Sequence, residues 1–134
     1  MPLISIIVPC YNEQESLPIF LKELDNVVHT IAQDDPSVSF EAILIDDGSA
    51  DETIAVMKAE AACNHTYAVR WYSFSRNFGK EAGLFAGLQH AKGDYVATMD
   101  ADMQDPPSLL PQMYKILQTE DYDNVATRRT TREG

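Results

Sequence analysis

Two cysteines, Cys10 and Cys63, are too few and too far apart for a disulfide framework or a zinc site, and both read as reduced thiols. Basic residues are also scarce. Ten Lys and Arg stand against 21 Asp and Glu, and the resulting net charge of −11 repels a phosphate backbone, which excludes general nucleic-acid binding. No run approaches the ~20 apolar residues of a membrane span. The first residues lack the basic region and long apolar segment of a secretion signal, so a cytoplasmic location is the expectation. Neither G-x-x-x-x-G-K-[ST] nor G-x-G-x-x-G occurs, which removes the two common glycine-rich phosphate cradles. His29, His65 and His90 show no ligand spacing and read as surface or boundary residues. With no linker, repeat or low-complexity stretch, residues 1–134 read as a single domain, long enough to bury a core without staples.

What is present is a regular alternation of strand and helix patterns. Residues 3–8 form a β-rich run closed by Pro9. Leu17, Phe20, Leu21, Leu24, Val27, Val28 and Ile31 then recur every three or four positions, as on one face of a helix. Residues 42–45 read as a second strand, and Ser49 with Glu52 as a capping box for a helix facing inward through Ile54, Met57 and Ala61. Residues 69–74 read as a third strand. A third helix presents Leu84, Phe85, Leu88 and Ala91 and stops at Gly93. Residues 95–99 read as a fourth strand, Pro107 and Ser108 open a last helix, and residues 124–127 read as a fifth strand. This order predicts an α/β fold, a mostly parallel sheet sandwiched by helices.

Ligands of such sheets bind outside the carboxyl ends of the strands, and every unusual polar cluster falls at one. P-C-Y-N-E (residues 9–13) exposes Tyr11 as a ring able to stack on a base. In I-D-D-G-S-A-D-E-T (residues 45–53) Asp46 or Asp47 is placed to accept the imide N–H of a base, while Ser49 and Asp51 read as a cap and a solvated acid. In R-N-F-G-K (residues 76–80) two cations, Arg76 and Lys80, flank a glycine, which suits a diphosphate and equally an exposed ion pair. Residues 95–107, Y-V-A-T-M-D-A-D-M-Q-D-P-P, deliver Asp100 and Asp102 at a strand exit. A calcium loop would need glycine where Asp105 stands. Paired hard oxygen ligands suit Mg²⁺ or Mn²⁺, which take one or two carboxylates and leave other positions to a ligand's phosphates. Arg128, Arg129 and Arg132 gather three of the ten basic residues near the end of the sequence, a local match for an anionic ligand or a solvated basic tail.

Taken together, P-C-Y-N-E, I-D-D-G-S-A-D-E-T, S-R-N-F-G-K-E-A-G-L and D-A-D-M-Q-D-P-P closely resemble the family 2 inverting glycosyltransferases, over nearly the whole chain. The last two motifs look most like the subgroup that moves a sugar from a UDP- or GDP-sugar to a polyprenyl phosphate, such as the dolichyl- and undecaprenyl-phosphate sugar synthases. The resemblance implies a GT-A fold, Rossmann-like, and a role in cell envelope glycan biosynthesis. It implies that Pro9, Tyr11, Glu13 and Asp47 hold the nucleoside, that Lys80 lies near base or diphosphate, that Asp100 contacts the nucleotide and that Asp102 binds the metal. Gln104 assists near metal or sugar, and Arg76 and Arg129 are candidates for phosphate contacts.

In the wider family the acceptor side comes from sequence beyond the fifth strand, so the chain is expected to be an amino-terminal piece, the donor half of a parent attached to the cytoplasmic membrane face. Three other readings stand beside this one. A nucleotide-sugar-binding module without turnover would share the donor residues, and so would an enzyme transferring to a saccharide hydroxyl in polysaccharide synthesis. A sugar-nucleotide pyrophosphorylase would be expected to show a glycine-rich loop after the first strand, and P-C-Y-N-E has no glycine.

Overall fold

A computed structural model describes residues 3–101, apart from the Lys80 side chain. Within them β1 (Leu3–Cys10), α1 (Ser16–Asp34), β2 (Ser39–Asp46), α2 (Thr53–Ala61), β3 (Ala68–Ser73), α3 (Lys80–His90) and β4 (Tyr95–Thr98) follow in order. The four strands form one parallel sheet in the order β3-β2-β1-β4. The expected last helix and fifth strand lie outside the described residues.

β1 and β2 are buried almost throughout, as parallel strands with both faces covered must be. On one face Ile4, Ile6, Val8, Ala42 and Leu44 pack against Leu17, Phe20, Leu21 and Leu24 of α1 and Met57 of α2. All seven helix positions picked out by periodicity are the buried ones, and each large side chain removed from water stabilises by roughly 1.5–3 kcal/mol. On the other face Ile7, Ile43 and Ile45 meet α3 through Leu84 and Ala86. Of the expected face of α3, Leu84 and Ala91 do pack against this cluster, but Phe85 and Leu88 do not. Phe85 and Leu88 are 62% and 49% exposed, and the helix instead turns Gly83 and Gly87 to the sheet. A Cβ at Gly87 would lie 2.3 Å from Ile7 Cγ2, so the missing side chain is what lets helix and strand approach.

Other expectations also change. Pro9 does not close β1 but lies inside it, paired with Ile45. The Leu3 and Ile7 carbonyls accept N–H groups from the β4 side, so by strand alternation Pro9 faces that side too, beyond the last pairing of Ile7 with Thr98. Its missing N–H is therefore not needed by the ladder. Gly93 is not the cap of α3, which ends at His90 with Ala91 as its cap; its N–H donates to Ser5 Oγ at 2.8 Å. Of its two readings His65 takes that of a boundary residue, with its ring bridging Asp25 of α1 at 2.6 Å and Glu60 of α2 at 3.2 Å.

Local spacing carries no sign of the polar cluster at the amino ends of the strands. Glu41, buried in β2, accepts from the Ser5 hydroxyl, from Lys92 N–H at 2.8 Å and from Arg70 at 2.6 Å, and Arg70 also donates to the His90 carbonyl. Burial alone raises the Glu41 pKa, but these donors and the Arg70 charge outweigh it and hold the carboxyl below its usual range.

Candidate functional site

The strand order reverses between β1 and β4: from β1 the chain winds outward to β2 and β3, then returns to place β4 on β1's other edge. Open α/β sheets bind ligands at the carboxyl side of such a reversal. Tyr11 and Glu13 leave β1 there, and Asp100 leaves β4 between the buried Met99 and Ala101. Tyr11 is 49% exposed, as a stacking ring requires. Glu13 is half-buried, accepts from the Ser16 hydroxyl and donates its N–H to Thr53 Oγ1 at 2.9 Å.

The loop after β2 ties its neighbours together. Asp46 is fully buried and accepts from Ser49 N–H and the Ser73 hydroxyl. Asp47 points the other way along the rim. Its Oδ1 accepts Phe78 N–H at 2.8 Å, and its Oδ2 accepts Gly79 N–H at 3.1 Å and Asn77 Nδ2 at 3.3 Å. A carboxylate offers about four acceptor positions, so contacts among the described residues leave one position on Oδ1. Gly48 follows at φ +71°, and any Cβ there would meet the Arg76 carbonyl carbon at 2.2 Å. The expected capping box is absent: α2 starts at Thr53 without a side-chain cap from Ser49, whose hydroxyl instead accepts Asn12 N–H at 2.9 Å. Asp51 is no solvated acid either. It accepts from the Thr53 N–H and hydroxyl and from Gln14 N–H, which outweigh burial and lower its pKa.

The loop after β3 carries Arg76, exposed, with its guanidinium 4.5 Å from the Phe78 ring centre. Stacking fixes a cation without neutralising it. Lys80 opens α3 directly behind.

A family model for glycosyl transferase family 2 matches residues 5–134. The chain belongs to glycosyl transferase family 2. An undecaprenyl-phosphate 4-deoxy-4-formamido-L-arabinose transferase of Sodalis glossinidius is 39% identical over 132 residues, covering 97% of this chain and 38% of the relative. That of Aeromonas hydrophila is 39% identical over 131 residues, covering 98% and 38%. The chain spans about two fifths of the length of these relatives. Among solved structures, a mannosyltransferase of Pyrobaculum calidifontis in complex with GDP-Man and Mn²⁺ matches with a TM-score of 0.67 at 28% identity, over 87% of this chain and 32% of the other. Glucosyl-3-phosphoglycerate synthase of Mycobacterium tuberculosis, in complex with UDP, shares the fold with a TM-score of 0.62 at 24% identity, over 88% and 40%. The fold is GT-A.

Within this family 2 domain, the structure brings Pro9, Tyr11, Glu13, Asp47, Arg76, Lys80 and Asp100 to one rim, at or just beyond strand ends. Asp102, Gln104, Arg128, Arg129 and Arg132 lie outside the described residues. The donor chemistry of the rim fits a hard divalent cation. Burial, and then the charges of Glu13, Asp46 and Asp100, push the Cys10 thiol well up, so it stays a neutral thiol and leaves oxygen as the ligating atom. Among the described residues no three His, Cys, Asp or Glu side chains converge as a metal cage. No helix among the described residues is long and apolar enough to cross a membrane.

Proposed function

We propose that this domain binds a UDP- or GDP-sugar for transfer of the sugar, with inversion at the anomeric carbon, to a polyprenyl phosphate at the cytoplasmic membrane face. The carrying observation is the placement, at the reversal in strand order between β1 and β4, of the exposed Tyr11 ring and the strand-exit Asp100, with the Asp47 loop on the same rim at the adjoining end of β2. The relatives named undecaprenyl-phosphate 4-deoxy-4-formamido-L-arabinose transferase support a polyprenyl phosphate acceptor, and the solved mannosyltransferase with GDP-Man and Mn²⁺ supports a metal-assisted donor site.

In this reading Tyr11 stacks on the base and Asp47 accepts its N–H through the remaining position on Oδ1, with Pro9 and Glu13 lining the nucleoside. Arg76 and Lys80 meet the diphosphate, Asp100 orients the nucleotide, and Asp102 with Gln104 faces the metal and sugar. When bound, Mg²⁺ or Mn²⁺ supplies positive charge to the departing diphosphate. A phosphate nucleophile arrives as an oxyanion and needs little general-base help, unlike a saccharide hydroxyl. Arg128, Arg129 and Arg132 then supply the cations that an acidic protein otherwise lacks for this acceptor.

Calorimetric titration of UDP and GDP tests the donor site. One of them is expected to bind, about tenfold tighter with Mn²⁺ than after chelation. Equal affinity with and without the ion would remove the metal from the reading, and no binding of either nucleotide would remove the donor site.

A further inference from the structure

We infer that Asn12 is a positioning residue for the nucleoside, clasping the loop after β1 to the loop after β2 so that Tyr11 and Asp47 are fixed relative to each other. The inference rests on the donor-site reading above.

Asn12 is the one non-glycine residue at positive φ among the described residues, at +54°. Asn tolerates this left-handed conformation better than most residues because its short polar side chain bonds to nearby backbone. Here that backbone belongs to another loop. Asn12 N–H donates to Ser49 Oγ at 2.9 Å, and Asn12 Oδ1 accepts Ala50 N–H at 2.8 Å and Asp51 N–H at 3.4 Å. Bonds therefore run in both directions between the loops. The next residues continue the seam: Glu13 N–H reaches Thr53 Oγ1, Gln14 N–H reaches Asp51 Oδ2, and Glu52 N–H reaches Gln14 Oε1.

The position of the clasp gives it a function. The left-handed turn comes directly after Tyr11, so it sets where that half-exposed ring leaves the sheet. On the facing loop the clasped Ser49 and Ala50 come directly after Asp47 and Gly48. Asp47 in turn holds Phe78 and Gly79 of the loop after β3. Stacking ring, base acceptor and cation-bearing loop thus form one connected frame, with Asn12 tying the loop after β1 to it and Asp47 N–H anchoring it to the Cys10 carbonyl of β1 at 2.9 Å. Groups held before the ligand arrives lose less freedom on binding it.

The test is calorimetry of UDP and GDP with Mn²⁺ on the full chain and three variants. Asn12→Gly keeps the left-handed backbone and removes Oδ1, and its affinity is expected to fall about tenfold with little change in thermal midpoint. Ser49→Ala breaks the clasp from the opposite loop, carries the test if Asn12→Gly does not fold, and should weaken binding in the same direction. Asn12→Asp keeps both the acceptor and the tolerance of positive φ, and should recover most of the affinity. Amide hydrogen exchange at Ala50 and Asp51 should quicken in Asn12→Gly and not in Asn12→Asp. Unchanged affinity in Asn12→Gly and Ser49→Ala, whatever their midpoints, overturns the role of Asn12 alone. Absence of binding by the unsubstituted chain overturns the donor-site reading, and this inference with it.

Discussion

At the amino ends of the strands Glu41 meets Arg70 at 2.6 Å, with the Ser5 hydroxyl and Lys92 N–H completing its shell. At the carboxyl ends Asp46, Asp47 and Asp51 meet N–H and O–H donors instead. The first arrangement cancels its charge internally. In the second, hydrogen bonds from neutral groups hold the carboxylates in place, and burial, followed by the charges of Glu13, Asp46 and Asp100, raises the Cys10 pKa. One end of the sheet is therefore built as a closed joint. The other is built from hydrogen bonds that tie loop to loop.

Asp47→Ala at the open end should have the largest effect. It removes the acceptor for Phe78 N–H, Gly79 N–H and Asn77 together with the proposed base contact. A hydrogen bond to a charged group is worth about 1.5–3 kcal/mol, so nucleotide affinity should drop roughly 100-fold by calorimetry. A drop no larger than that of Asp51→Ala would mean that general rim charge, rather than this loop, governs binding.

Glu41→Ala at the closed end should do the reverse. Leaving Arg70 without its partner should cost about 2–3 kcal/mol of stability in denaturant melts, less than a fully buried pair because Arg70 is partly exposed. Nucleotide affinity should not move. A matching loss of affinity would show that the two ends are coupled and spoil the contrast.

Acid should expose a smaller difference. Glu41 and Asp51 both have folded pKa values below their ordinary ones, so the folded state binds fewer protons than the unfolded state near those values. Their stabilisation is complete above the unfolded pKa of about 4 and is lost as pH falls through the lower folded values. The thermal midpoint should decline below about pH 4, and Glu41→Gln should decline less steeply. Identical slopes would mean that other carboxyls carry the acid response.

The fold was legible wherever burial is written in large apolar side chains. α1 shows this best, because its seven inward positions are Leu, Phe, Val and Ile at helical spacing. α3 was only half legible: Leu84 and Ala91 face the sheet as expected, but Gly83 and Gly87 beside them carry no hydrophobic signal, while Phe85 and Leu88 carry a strong one on the outside. Glu41 and Arg70 were invisible because an acid in one strand and a base in another announce no pairing until the register Ala42↔Val69 and Ile43↔Arg70 brings them side by side. At the site, the strand-end rule located the rim, and motif resemblance supplied most of the candidate roles. Asn12 and Asp51 were missed for a different reason. Their bonds join residues far apart in sequence, and local spacing carries no trace of them beyond the preference of Asn for a left-handed turn.

Pro9 has a consequence for how this sheet assembles. Of Val8, Pro9 and Cys10, the stretch of β1 beyond its last pairing with β4, only Pro9 faces that neighbour. With no donor there, a chain zipping up along β1 meets a missing tooth one residue before the rim, so further strand pairing cannot seal the mouth between β1 and β4. A single imino acid thereby keeps the last stretch of the β1 edge out of the ladder with β4.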